Sequence, residues 1–175
     1  MQAIRRSGTR RVVAATAAGV LLLLVATVLV TRLVSQMDAA SLVAAQARSA
    51  AIAALEDQFV ALGTADESAV DLLFAGAARS EMRGLKPHIR QMVTDQTDYP
   101  GKRTLSNVQV FSIKGDDATT MTMDIRAHVK QADMRGGRIA GYSEGEVDFH
   151  IVMVRDGDAW KISDLDWDWA PGFSP

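Results

Sequence analysis

Nineteen consecutive residues, Val12 to Val30, carry no charged side chain, and four arginines (Arg5, Arg6, Arg10 and Arg11) stand immediately before them. At 1.5 Å per residue a helix of that length reaches roughly 28 Å, close to the thickness of a bilayer's hydrocarbon core, where a helix satisfies its own backbone polar groups. The run is longer than the apolar region of a secretory signal and leads into Thr31-Arg32 rather than a small-x-small cleavage site. It is read as an uncleaved membrane anchor, with lipid as its partner.

Charge sets the orientation, because arginine and lysine beside a span are retained in the cytosol. Of 19 basic and 21 acidic residues, four basic and no acidic ones precede Thr31, leaving 15 against 21 and a net charge near −6 for the remainder. The expected arrangement is a cytosolic tail (1–11), a transmembrane helix (12–34), an amphipathic stalk helix (35–62) and an α+β domain outside the cytosol (63–175). An acidic balance without clustered lysine and arginine argues against a nucleic-acid partner.

Between Asp38 and Leu62 the alanine-rich sequence favours helix, and Leu42, Ala45, Ser49, Ile52, Leu55, Phe59 and Leu62 recur at three- and four-residue steps. Gly63 ends that helix, and Thr64-Ala-Asp-Glu67 has capping-box spacing, with Thr64 capping a second helix and Glu67 reaching back. Two or three helical pieces follow to Val93, broken near Gly76 and of uncertain continuity at Gly84 and Pro87, before Asp98-Tyr99-Pro100-Gly101 turns the chain.

From there the period changes to two, giving strands near 104–113, 119–130, 139–154 and 160–169 in an antiparallel meander. Tight turns at Gly115-Asp116 and Gly157-Asp158 place Val110 opposite Met121, Val108 opposite Met123, Met153 opposite Trp160 and Ile151 opposite Ile162. The middle pairing sets Met121 on Phe149, Met123 on Val147, Arg126 on Glu144 and His128 on Tyr142. Trp160 and Ile162 occupy even positions whereas Leu165, Trp167 and Trp169 occupy odd ones. A bulge near Ser163 or Asp164 is therefore required to keep both groups facing the core. The inward set is then Val108, Val110, Met121, Met123, Ile125, Val147, Phe149, Ile151, Met153, Trp160, Ile162, Leu165 and Trp167. The fold class is α+β: a single N-terminal transmembrane helix, then helices packed on a curved four-stranded antiparallel sheet, cone-like.

That layout, with the ending Gly157-Asp-Ala-Trp160-Lys-Ile-Ser-Asp164-Leu165, resembles the cone-shaped fold of ketosteroid isomerases and nuclear transport factor 2. It is especially similar to the Mce-associated proteins tethered to the bacterial cell membrane, which accompany substrate-binding subunits of envelope lipid importers. The resemblance implies a non-enzymatic accessory subunit with other envelope-complex subunits as partners. The assembly scaffold of type IV secretion and conjugation channels, with the same tail, span and fold, is the alternative. A small apolar ligand binder or isomerase-like enzyme is the third.

The residues point away from motif-borne catalysis. There is no cysteine, no nucleophile elbow, no phosphate-binding glycine loop and no zinc helix. His88 falls in a helix while His128 and His150 fall apart on the outer sheet face, so no metal site is expected. Asp164, at the bulge, is assigned to backbone amides rather than acid-base work. Met121, Met123 and Met153 are read as core filling before pocket lining. Trp169, Pro171 and Phe173 form the candidate partner contact; catalytic, cofactor and metal residues are none.

Overall fold

The computed structural model describes residues 40–115 and 118–171. The tail 1–11 and the expected span 12–34 lie outside these; among the described residues no helix is long and apolar enough to cross a membrane. Helix α1 covers residues 40–63, α2 Ala69–Leu73 and α3 Gly76–Thr94, and four strands follow, β1 Tyr99–Gly115, β2 Thr120–Arg135, β3 Arg138–Asp156 and β4 Ala159–Trp169. They form one antiparallel sheet in the order β1-β2-β3-β4. Helices on one face of a curved meander are what the sequence pattern called for.

The helices differ from expectation in face, cap and continuity. Ala47, Ala51, Ala54, Leu55 and Leu62 of α1 are buried in the core, whereas Ala45 and Ser49 are exposed. The buried stripe is thus rotated from the expected one: alanines bring the helix axis close to the sheet, and in an alanine-rich helix several faces have similar apolar periodicity. Residues from Val43 onward form one compact unit. The capping box does not form. Asp66 accepts bonds from Ser68 N at 2.9 Å and Ser68 Oγ at 2.7 Å, Thr64 Oγ1 accepts only Asp66 N at 3.3 Å, and Glu67 pairs with Arg90 instead. Helix α3 runs through Gly84 and Pro87 unbroken. Arg83 and Pro87 are exposed, so the carbonyl that the proline leaves without its helical donor faces water.

The sheet keeps the expected faces but not the expected partners. Met121, Met123, Ile125, Phe149, Ile151, Met153 and Ile162 are buried, as are Ala127 and Val129 farther along β2. In register, however, Val110 pairs with Ile125, Met121 with Met153 and Ile125 with Phe149, and Met153 with Ile162. The β2–β3 slip is an even number of residues, which exchanges neighbours without exchanging faces. Gly136 and Gly137, at φ of +54° and +74°, make the tight turn that fixes Arg135 opposite Arg138; this pair of glycines is the sequence signal that sets the register. In β1 the expected turn at Tyr99-Pro100-Gly101 is already strand, and irregularities after Pro100, Ser106 and Val110 shift its pairing. On β4 the register shift opposite Val152/Met153 leaves Ser163 unpaired, which is the bulge that residue parity demanded.

Candidate functional site

Helix α1, the start of β1 and the far halves of β2, β3 and β4 surround a cavity of about 320 Å³. Met121, Met123, Met153 and Trp160 are buried toward the opposite end of the sheet. Phe59, Val129, Val147, Phe149, Trp167 and Trp169 supply an apolar wall. Into it projects Arg103, only 8% exposed. Its Nε donates to Gln131 Oε1 and its Nη1 to Gln58 Oε1, both at 2.9 Å. Its guanidinium carbon lies 4.4 Å from the centre of the Phe59 ring, an arrangement in which the ring's negative face attracts the cation. Gln58 is oriented in turn by its own amide, which donates to Met82 Sδ at 3.2 Å.

Among the described residues no acidic side chain lines this cavity, and Arg103 forms no ion pair. Burial lowers its pKa to about 10, which still leaves it charged at neutral pH. Nη2 donates to no protein atom among the described residues. A buried cation with one open nitrogen in an apolar recess is an anion-accepting arrangement. Sequence reading missed Arg103 because the strand was begun at residue 104. The inward set on this strand, Val108 and Val110, also has the opposite parity, and only the irregularity after Ser106 brings Arg103 to the buried face.

A second, larger hollow of about 720 Å³ lies between α2 and α3, but its charges are already committed. Arg83 pairs with Asp71 and Arg90 with Glu67, while the buried Lys86 Nζ donates to Ala61 O at 3.0 Å and Asp66 O at 2.7 Å. Lys86 thereby ties the C-terminal turn of α1 to the following loop, where a cation complements the helix dipole. This hollow is structural in character.

The sequence-selected contact residues separate. Trp169 is half-buried and lines the cavity, Pro171 is exposed, and Phe173 lies outside the described residues. Trp167, expected inward, is 47% exposed. It has the inward parity opposite Phe149 and lines the cavity, with its exposed ring at the cavity's mouth. It meets Trp169 edge to face at a centroid distance of 6.2 Å, a favoured aromatic geometry. Trp169 in turn lies over Gly145, where an added Cβ would stand 2.7 Å from Trp169 Cζ3. A Gly145→Ala substitution is expected to push the indole out of the cavity wall, costing about 1–3 kcal/mol as overpacking and changing tryptophan fluorescence. An unchanged spectrum and melting temperature would contradict this placement.

Asp164, Asp166 and Asp168 are exposed, and each carboxylate accepts the backbone N–H of the next residue, at 3.2, 2.9 and 2.8 Å. Asp164 thus plays the expected backbone role. β4 is an edge strand, and these three side chains cover the N–H groups that an added strand would use.

The outer sheet face is laced with cross-strand pairs: Arg126 with Asp148 at 2.6 Å, His128 with Glu146 at 3.2 Å and His150 with Asp124 at 2.6 Å. Among the described residues no three histidine or carboxylate groups are placed to hold a metal. Hydrogen bonds from Ser112 and His150 hold the Asp124 carboxyl below its ordinary value. Arg126 does the same for Asp148, Arg83 for Asp71 and Arg135 for Asp98. A depressed carboxyl contributes stability that is present above its unfolded value, 3.8 here, and lost as pH falls through the folded value. Urea midpoints are therefore expected to stay level from pH 7 to about pH 5 and to fall steadily below about pH 4. A midpoint unchanged down to pH 2.5 would show that these pairs contribute nothing.

No family model matches the sequence. No curated protein matches it either. Among solved structures, the intermembrane-space region of the chloroplast protein ARC6 superposes with a TM-score of 0.55 at 12% identity, over 71% of this chain and 97% of that one. A designed NTF2 chain covers 67% of this chain and 92% of its own at 13% identity, with a TM-score of 0.37. The chain shares the fold of the ARC6 region. At such identities the likeness is one of fold alone.

Proposed function

We propose that this chain is a non-enzymatic accessory subunit of a bacterial envelope membrane complex, held by residues 12–34 with its α+β domain outside the cytosol. Its favoured setting is Mce-type lipid import. The observation that supports the non-enzymatic reading is the lining of the cone: an arginine and aromatic rings, with no carboxylate among the described residues to act as the base that an isomerase-like site requires. Among the described residues that line the cavity the only hydroxyl is that of Ser143, which donates to Asp133 at 2.9 Å and 3.1 Å.

The partner surface is the open end of the sheet, where Trp167 and Pro171 stand exposed. Docking there uses side chains, since the aspartates of β4 cover the backbone that strand addition needs. The test is purification of the tagged full chain from its native membrane in mild detergent. Importer substrate-binding subunits are expected alongside, lost on Trp167→Ala substitution. Recovery with a transport ATPase and channel parts would shift the assignment to secretion scaffolding, and a lone monomer would overturn the subunit reading.

A further inference from the structure

We propose that the cavity at the Trp167–Trp169 end of the sheet binds a single-chain carboxylate amphiphile, its headgroup on the open nitrogen of Arg103 and its tail against Phe149, Val147 and the two indoles. The inference goes beyond the accessory-subunit reading and does not rest on it. It is built only on the geometry around one buried guanidinium.

A cation taken out of water is costly unless something compensates it. For Arg103 the protein supplies two neutral glutamine carbonyls and one aromatic face, and no carboxylate. Arg103 lines the cavity and its Nη2 has no protein acceptor among the described residues, so the cavity is electrostatically prepared for an anion and against a cation. The rest of its lining is chiefly apolar, so the anion's other end is hydrocarbon. Two of the three guanidinium nitrogens are already engaged, which suits a compact singly charged head. A phosphate would call for a wider set of donors than one nitrogen.

Size limits the tail. At roughly 30 Å³ for each water-sized volume, 320 Å³ admits a molecule of about ten non-hydrogen atoms, which is octanoate rather than a two-chain lipid. Longer chains would emerge past Trp167, the exposed ring at the mouth. The two tryptophans supply broad apolar area at little entropic cost, as in other small-molecule sites.

The experiment is equilibrium dialysis of radiolabelled octanoate, 1-octanol and octyltrimethylammonium against the full chain in nanodiscs, with empty nanodiscs subtracted. Octanoate is expected to bind at least tenfold more tightly than octanol, and the cation not at all. Arg103→Gln removes the charge, and Gln131→Glu supplies an internal counter-ion at nearly constant volume. Each is expected to bring octanoate to within twofold of octanol. Equal binding of octanoate and octanol by the native chain, or a preference that survives Gln131→Glu, would overturn the proposal. Should Arg103→Gln not fold, the Gln131→Glu variant decides alone. Failure here leaves the co-purification result untouched, so the two readings fall separately.

Discussion

Replacing Phe74 with alanine is expected to lower the free energy of unfolding by about 3–5 kcal/mol, the usual range for emptying a buried aromatic site. Phe74 is 1% exposed and sits where α2 ends. Its backbone forms a parallel bridge to Ile162, and the next amide, Ala75 N, donates to Ile162 O at 2.8 Å. The ring thus fills the junction of helices and sheet while the backbone beside it is pinned to β4. Walls held that firmly collapse poorly, and the loss then includes the cavity as well as the transfer of the ring. Domains of this size have about 5–15 kcal/mol in total, so the variant should be near its folding threshold. Leu72→Ala is the control. Two residues earlier and 67% exposed, it should change stability by less than about 0.5 kcal/mol. Urea denaturation of both measures the contrast, and equal effects would contradict the assigned core.

The second large effect concerns Arg103. Substitution by methionine alone strands the carbonyls of Gln58 and Gln131, each costing about 1–3 kcal/mol when left unpaired, so a net loss of about 2–4 kcal/mol is expected. The triple change Arg103→Met, Gln58→Leu and Gln131→Leu removes the whole polar set. Replacing buried charge by apolar groups of similar volume is commonly neutral or stabilising by about 1–4 kcal/mol, so the triple variant should unfold at or above the native midpoint. Stability regained as binding is lost would show that the arginine is kept for what it holds rather than for the fold. A triple variant as weak as the single one would make Arg103 a structural residue.

Much of this chain was legible in its residues. The change from helical to alternating periodicity after Gly101 separated helices from strands. The even and odd positions of Trp160, Ile162, Leu165 and Trp167 demanded the bulge that Ser163 supplies. Pairing was harder, because alternation specifies a face and not a partner. A slip of four residues between β2 and β3 leaves every apolar residue inward while exchanging all its neighbours. The ion pair of Arg126 with Asp148 instead of Glu144 is a direct result.

The sequence by itself determined element type and sheet face, because both follow from local periodicity and from the burial of apolar side chains. Only the tertiary structure decided which residues make the site. Gln58, Arg103 and Gln131 stand 45 and 28 positions apart along the chain, and each alone reads as an ordinary polar residue. Nothing local marks Arg103 as buried without a carboxylate. That property arises where α1 closes over the end of a sheet whose register is set by turns and bulges elsewhere, and it exists only once the fold has brought those segments together.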